Sequence, residues 1–144
     1  MANSNQGDGA SLWWPCKDHP SDEPDSMALT FTVPKGLVAA SNGRLRGVDD
    51  LGQQVRYRWF VSTPINNYGV ALNVGPYVER DTTYTSVAGD TFPVALYILP
   101  ERLDHADFLM EQMLEHMAFY EDWLGPNPFR SDKYGVFHTP HLGK

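Results

Sequence analysis

The chain has 144 residues, 42% of them hydrophobic, and a formal net charge of −7 from 11 basic and 18 acidic side chains. A chain of this size buries roughly 68–70% of its unfolded surface, so a core is possible, and the composition excludes a disordered polymer. The acidic balance disfavours nucleic acid, which needs clustered Lys and Arg, and the single cysteine, Cys16, excludes an internal disulfide or a cysteine-rich metal site.

The opening residues, MANSNQGDGAS, are small and polar, without the basic stretch and apolar run of a signal peptide. Residues 13–26, WWPCKDHPSDEPDS, carry three prolines and predict an irregular, anchored loop. Strand signals follow. Met27, Leu29, Phe31 and Val33 alternate with Ala28, Thr30 and Thr32, the period of a half-buried strand. Leu37 to Ser41 is a second strand, ended by the turn dipeptide Asn42-Gly43. Asp49-Asp50-Leu51-Gly52 reads as another turn, after which Val55, Tyr57 and Trp59 alternate with Arg56 and Arg58. Val70, Leu72 and Val74 form a fourth strand, and Tyr77 to Val87 and Phe92 to Leu99 two more.

After Pro100 the period changes. Leu109, Met113, Met117, Tyr120 and Leu124 recur at the spacing of one helical face. Asp104 is the expected N-cap, and Gly125-Pro126 the stop. No apolar run reaches the ~20 residues of a membrane helix. The fold class expected is mainly β with α: an antiparallel, sandwich-like (saddle) β portion followed by one long amphipathic helix near the C-terminus.

Four segments then resemble, in order, the aminopeptidase N and leukotriene-hydrolase family of zinc metallopeptidases. WWPCKDHPSDEPD is similar to the family's aromatic-Pro-Cys-x-Asp-x-Pro loop, and FTVPKGLVAASNG to its Val-Pro and Ser-Asn-Gly hairpin. STPINNYGVALNVGPY is similar to its Thr-Pro-x-x-x-Tyr stretch, and GPNPFRSDKYGVFHTPHLG to the segment entering its substrate-binding Gly-x-Met-Glu-Asn strand. The resemblance implies that residues 1–101 are the later part of an N-terminal β domain and 102–144 the beginning of a thermolysin-like catalytic domain. It implies an enzyme that removes N-terminal residues from peptides, with zinc as the cofactor of the parent protein and none in this piece. The family's His-Glu-x-x-His zinc motif does not occur in the sequence. The piece alone is therefore expected to be inactive, with the missing catalytic domain and a peptide substrate as the parent's partners.

The resemblance also implies the candidate site. The family's substrate-amine contact lies nine residues before the Pro of the Pro-Cys pair, which is Gln6 here, with Ser4 where the family has Gln. Leu142 and Gly143 align with the start of the Gly-x-Met-Glu-Asn strand, and Lys144 stands where its Met is expected. No catalytic residue and no metal ligand is assigned. Unpaired strand edges left by a partial domain are expected to promote self-association.

Other candidates have plainer readings. His138 and His141 point to opposite faces if extended, which argues against a shared metal. His105 and His116 lie among acids on the helix, on a solvated face. Cys16 beside Asp18 and His19 lacks a demonstrated spatial base, and Asp22, Glu23 and Asp25 lack the spacing of a calcium loop. Trp13, Trp14, Tyr57, Trp59 and Tyr77 would form a binding platform if exposed on one face, and a packed core if buried. Exposure would favour the alternative of a stand-alone β-sandwich-like module that binds protein or carbohydrate.

Overall fold

The computed structural model describes residues 10–17, 19 and 21–139. The chain forms two compact units, Met1–Gly75 and Pro76–Lys144.

In the first unit, β1 (Met27–Pro34), β3 (Arg44–Asp50) and β4 (Gln54–Val61) make an antiparallel sheet in the order β1-β4-β3. Met27 pairs with Val61 and Pro34 with Gln54, so the alternating apolar residues of both strands share one face. That face carries Trp59, which is buried and donates from Nε1 to the Ala39 carbonyl at 2.9 Å. The hydroxyl of Tyr57 donates to the Leu37 carbonyl at 3.2 Å. Beside this sheet, β2 (Val38–Ser41) pairs antiparallel with β5 (Leu72–Gly75).

The Ser-Asn-Gly run closes β2 by hydrogen bonding. Ser41 Oγ donates to the Ala71 carbonyl at 2.6 Å, while Asn42 accepts from Ala71 N at 2.7 Å and donates to the Gly69 carbonyl at 3.0 Å. Gly43 follows at φ 75°, and a Cβ there would lie 2.1 Å from the Phe60 carbonyl oxygen, so only glycine fits. The predicted loop 13–26 is anchored by two consecutive asparagines. Asn67, itself buried, donates to the Lys17 carbonyl at 2.6 Å, and Asn66 donates to Glu23 at 3.3 Å.

The second unit is built on β7 (Thr91–Ile98), whose Phe92, Val94, Ala95, Leu96, Tyr97 and Ile98 are all buried. It pairs antiparallel with β6 (Val78–Thr85) and, on its other side, parallel with β8 (Tyr134–Phe137). The parallel pair requires a crossover. That crossover is a 3-10 turn at Pro100–His105 running into α1 (Ala106–Leu124). The expected class therefore holds, with a parallel strand added at the end of the third sheet.

Three details correct the sequence reading of the helix. It begins at Ala106, after the 3-10 turn, so His105 rather than Asp104 occupies the cap position, without a side-chain capping bond. Leu109, Tyr120 and Leu124 are exposed, the last at 80%. The buried face instead holds Ala106, Met113, Met117 and Glu121, with Met110 and Leu114 packed beside them. It is rotated by about 50° from the apolar stripe, at 3.6 residues per turn. The helix stops at Gly125, whose φ of 84° and ψ of −179° lie outside the left-handed helical region expected of a closing glycine, in a conformation essentially confined to glycine.

Candidate functional site

Glu121 is the feature that the sequence did not disclose. Its side chain sits at the end of α1, 5% exposed, facing the turn between β6 and β7. One carboxylate oxygen accepts from Asn127 N at 2.8 Å and Ser86 Oγ at 3.0 Å; the other accepts from Val87 N at 2.9 Å and Tyr84 OH at 3.3 Å. Burial pushes the carboxyl up, and these four donors outweigh it, holding the group below the usual carboxylate range. Arg130 reinforces the same junction, gripping Asp90 through Nε at 2.8 and 3.1 Å and the Asn127 carbonyl through Nη1 at 3.0 Å. Together they fix the segment 125–130, and through it the entry of β8.

The path of β8 matters because it carries the chain towards the predicted substrate-binding residues. Tyr97 OH donates to Glu79 at 2.8 Å, and Phe137 stacks on the Tyr97 ring at 4.9 Å. Burial first, then the Glu79 carboxylate, raises the Tyr97 phenol well above its ordinary value. At the start of β8, burial pushes the Lys133 ammonium down to about 8, with Asp132 and Glu79 acting in the opposite direction. At its end, His138 N donates to the Tyr97 carbonyl at 2.8 Å, while His138 Nδ1 is buried and has no hydrogen-bond partner among the described residues.

Gln6, Leu142 and Gly143, the residues assigned to substrate binding, lie outside the described residues, as do Asp18 and His141. The other candidates take structural places. Cys16 Sγ lies 3.9 Å from the Asn67 amide, and His19 Nδ1 is 2.7 Å from Ser21 Oγ. Trp59 and Tyr77 are buried, so the aromatic residues form no shared exposed platform. Among the described residues, no three His, Cys, Asp or Glu side chains converge to hold a metal ion, and no zinc ligand set is assigned to them. Among them, too, no helix is long and apolar enough to cross a membrane.

The fold matches part of several solved M1 zinc metallopeptidases. An M1 zinc metallopeptidase from Deinococcus radiodurans, solved as a mutant bound to a Tyr-Ser-Ala substrate, matches 99% of this chain at a TM-score of 0.79 and 22% identity. A two-domain M1 zinc metallopeptidase mutant bound to L-arginine matches 94% at a TM-score of 0.74 and 23% identity. Legionella pneumophila aminopeptidase A, in complex with aspartic acid, matches 94% at 0.75 and 22%. The chain spans 32%, 31% and 16% of those three proteins respectively. Neither protein-family models nor curated proteins give a match.

Proposed function

We propose that this chain is a portion of a zinc-dependent aminopeptidase, supplying the later part of its β domain (residues 1–101) and the opening of its catalytic domain (102–144). That division follows the resemblance; compactness groups β6 and β7 with α1 instead. The observation that carries the reading is the likeness over 99% of the chain to an M1 zinc metallopeptidase three times its length, with four sequence motifs in the same order.

In this reading the parent cleaves the first peptide bond of a substrate with a free amino terminus. Zinc, held by ligands of the parent outside these 144 residues, supplies the Lewis acid and activated water. This chain's contribution is shape and orientation. Gln6 accepts a hydrogen bond from the substrate ammonium through its amide oxygen, and the backbone at Leu142 and Gly143 borders the bound peptide. Glu121 and Arg130 hold the segment that leads there.

The piece alone is expected to be inactive. Elemental analysis of the purified chain, combined with an aminoacyl anilide assay, tests this. The expected result is sub-stoichiometric zinc and no turnover. One zinc per chain with anilide hydrolysis would overturn it.

A further inference from the structure

The sheet of the first unit has a second face that the peptidase reading does not use. Cross-strand pairing places Arg44 opposite Phe60, Gly47 opposite Arg58 and Asp49 opposite Arg56. Arg56, Arg58 and Phe60 alternate with the inward Val55, Tyr57 and Trp59, so they project outward together. The register shift between Leu45 and Gly47 inserts Arg46, whose guanidinium lies 5.5 Å from the centre of the Phe60 ring. Four of the chain's seven arginines thus share one face in a protein of net charge −7. The corresponding positions of β1 are neutral: Ala28, Thr30, Thr32 and Pro34.

A Cβ at Gly47 would come within 2.5 Å of Arg58 Nη2, so the glycine leaves the space across which Arg58 lies. Arg58 reaches Asp49 at 3.0 Å, the one carboxylate among these paired positions, and both side chains remain solvent-exposed. Arg46 and Arg56 are exposed as well.

We propose that this outer face docks an acidic peptide segment in extended conformation, with alternate Asp or Glu side chains meeting Arg56, Arg58 and Arg44. The spacing fits that chemistry. Alternate residues of a strand repeat at about 6.6 Å, the same in the peptide as along β4, and guanidinium forks match carboxylates in two-point contact. A single-stranded nucleic acid fits less well. It would need open aromatic faces for its bases, and Phe60 is already covered by Arg46.

Fluorescence anisotropy of the whole chain with a labelled peptide of alternating Glu and Thr tests the proposal. A Gln-Thr peptide and an oligothymidylate of equal charge serve as controls. The Glu peptide is expected to bind at least about tenfold more tightly than the Gln peptide, and to weaken with salt. R56Q/R58Q, with its circular dichroism unchanged, is expected to lose about tenfold in affinity. D49N, which frees Arg58 from its carboxylate, is expected to tighten binding, and it keeps the test open should the double variant fail to fold. Equal binding of the two peptides, an unaffected R56Q/R58Q, no tightening in D49N, or oligothymidylate binding more tightly than the Glu peptide would each overturn it.

Discussion

Glu121→Gln is expected to lower the free energy of unfolding by about 3 kcal/mol and Tm by roughly 10 °C. The native carboxylate accepts from four donors, two on each oxygen. A carboxamide accepts through only one atom, and its NH2 would face two of those donors; a hydroxyl can turn to accept from it, but a backbone N–H cannot and is left buried and unmatched. At least one of the two is a backbone N–H, because Val87 and Asn127 approach different oxygens. The size of the loss reflects that mismatch more than the worth of any single bond.

The same substitution changes the acid limb of the stability profile. Glu121 has a folded pKa below its ordinary value of 4.5, so the native state binds fewer protons than the unfolded chain as pH falls. Its contribution is complete above that ordinary value and is lost as pH drops through the folded one. Urea unfolding compared at about pH 7 and about pH 4 should therefore show a smaller fall for E121Q than for the unsubstituted chain. Equal falls would mean that Glu121 titrates alike in both states.

Phe92→Ala is expected to cost about 3–5 kcal/mol, a large share of the roughly 5–15 kcal/mol that holds a domain together. Phe92 is 1% exposed and opens the buried strand on which Met113 and Met117 pack. Its ring meets Tyr84 edge-on at 5.6 Å, and Tyr84 in turn donates to Glu121, so the cavity would open beside the carboxylate cluster. Phe92→Leu, keeping most of the volume, should cost less than half as much. Equilibrium urea unfolding measures both; an alanine variant as stable as the unsubstituted chain would rule out β7 as the centre of this unit.

How far the sequence could be read depended on where the relevant information lies. β1 and β4 are legible because one face of each is apolar and the other polar, and β7 because it is a short, strongly apolar run. β3, RLRGVDD, is not: it contains a glycine and a register shift, its exposed face carries charge, and its last two residues, Asp49 and Asp50, read as the start of a turn. β8, four residues of YGVF, is too short for any period to show. The helix was visible, but its buried face was not. An apolar stripe through Leu109, Tyr120 and Leu124 competes with the true one, and Glu121 is drawn inward by donors 34 to 37 residues earlier in the chain and 6 later. A glutamate on a helix reads as solvated until those partners are placed.

The family-like motifs proved more legible than the site. Ser41, Asn42, Gly43 and Asn67 each meet a backbone partner that explains the residue type. Gln6, Leu142 and Gly143 rest on alignment with the family alone, and substrate contact at those positions belongs to the proposal.

Reading the coding sequence past the codon for Lys144 tests the central claim most directly. An aminopeptidase portion predicts continuation in frame through Met-Glu-Asn-like residues to a His-Glu-x-x-His motif and a downstream Glu. An in-frame continuation that lacks that motif, or a stop codon at that point, would contradict it.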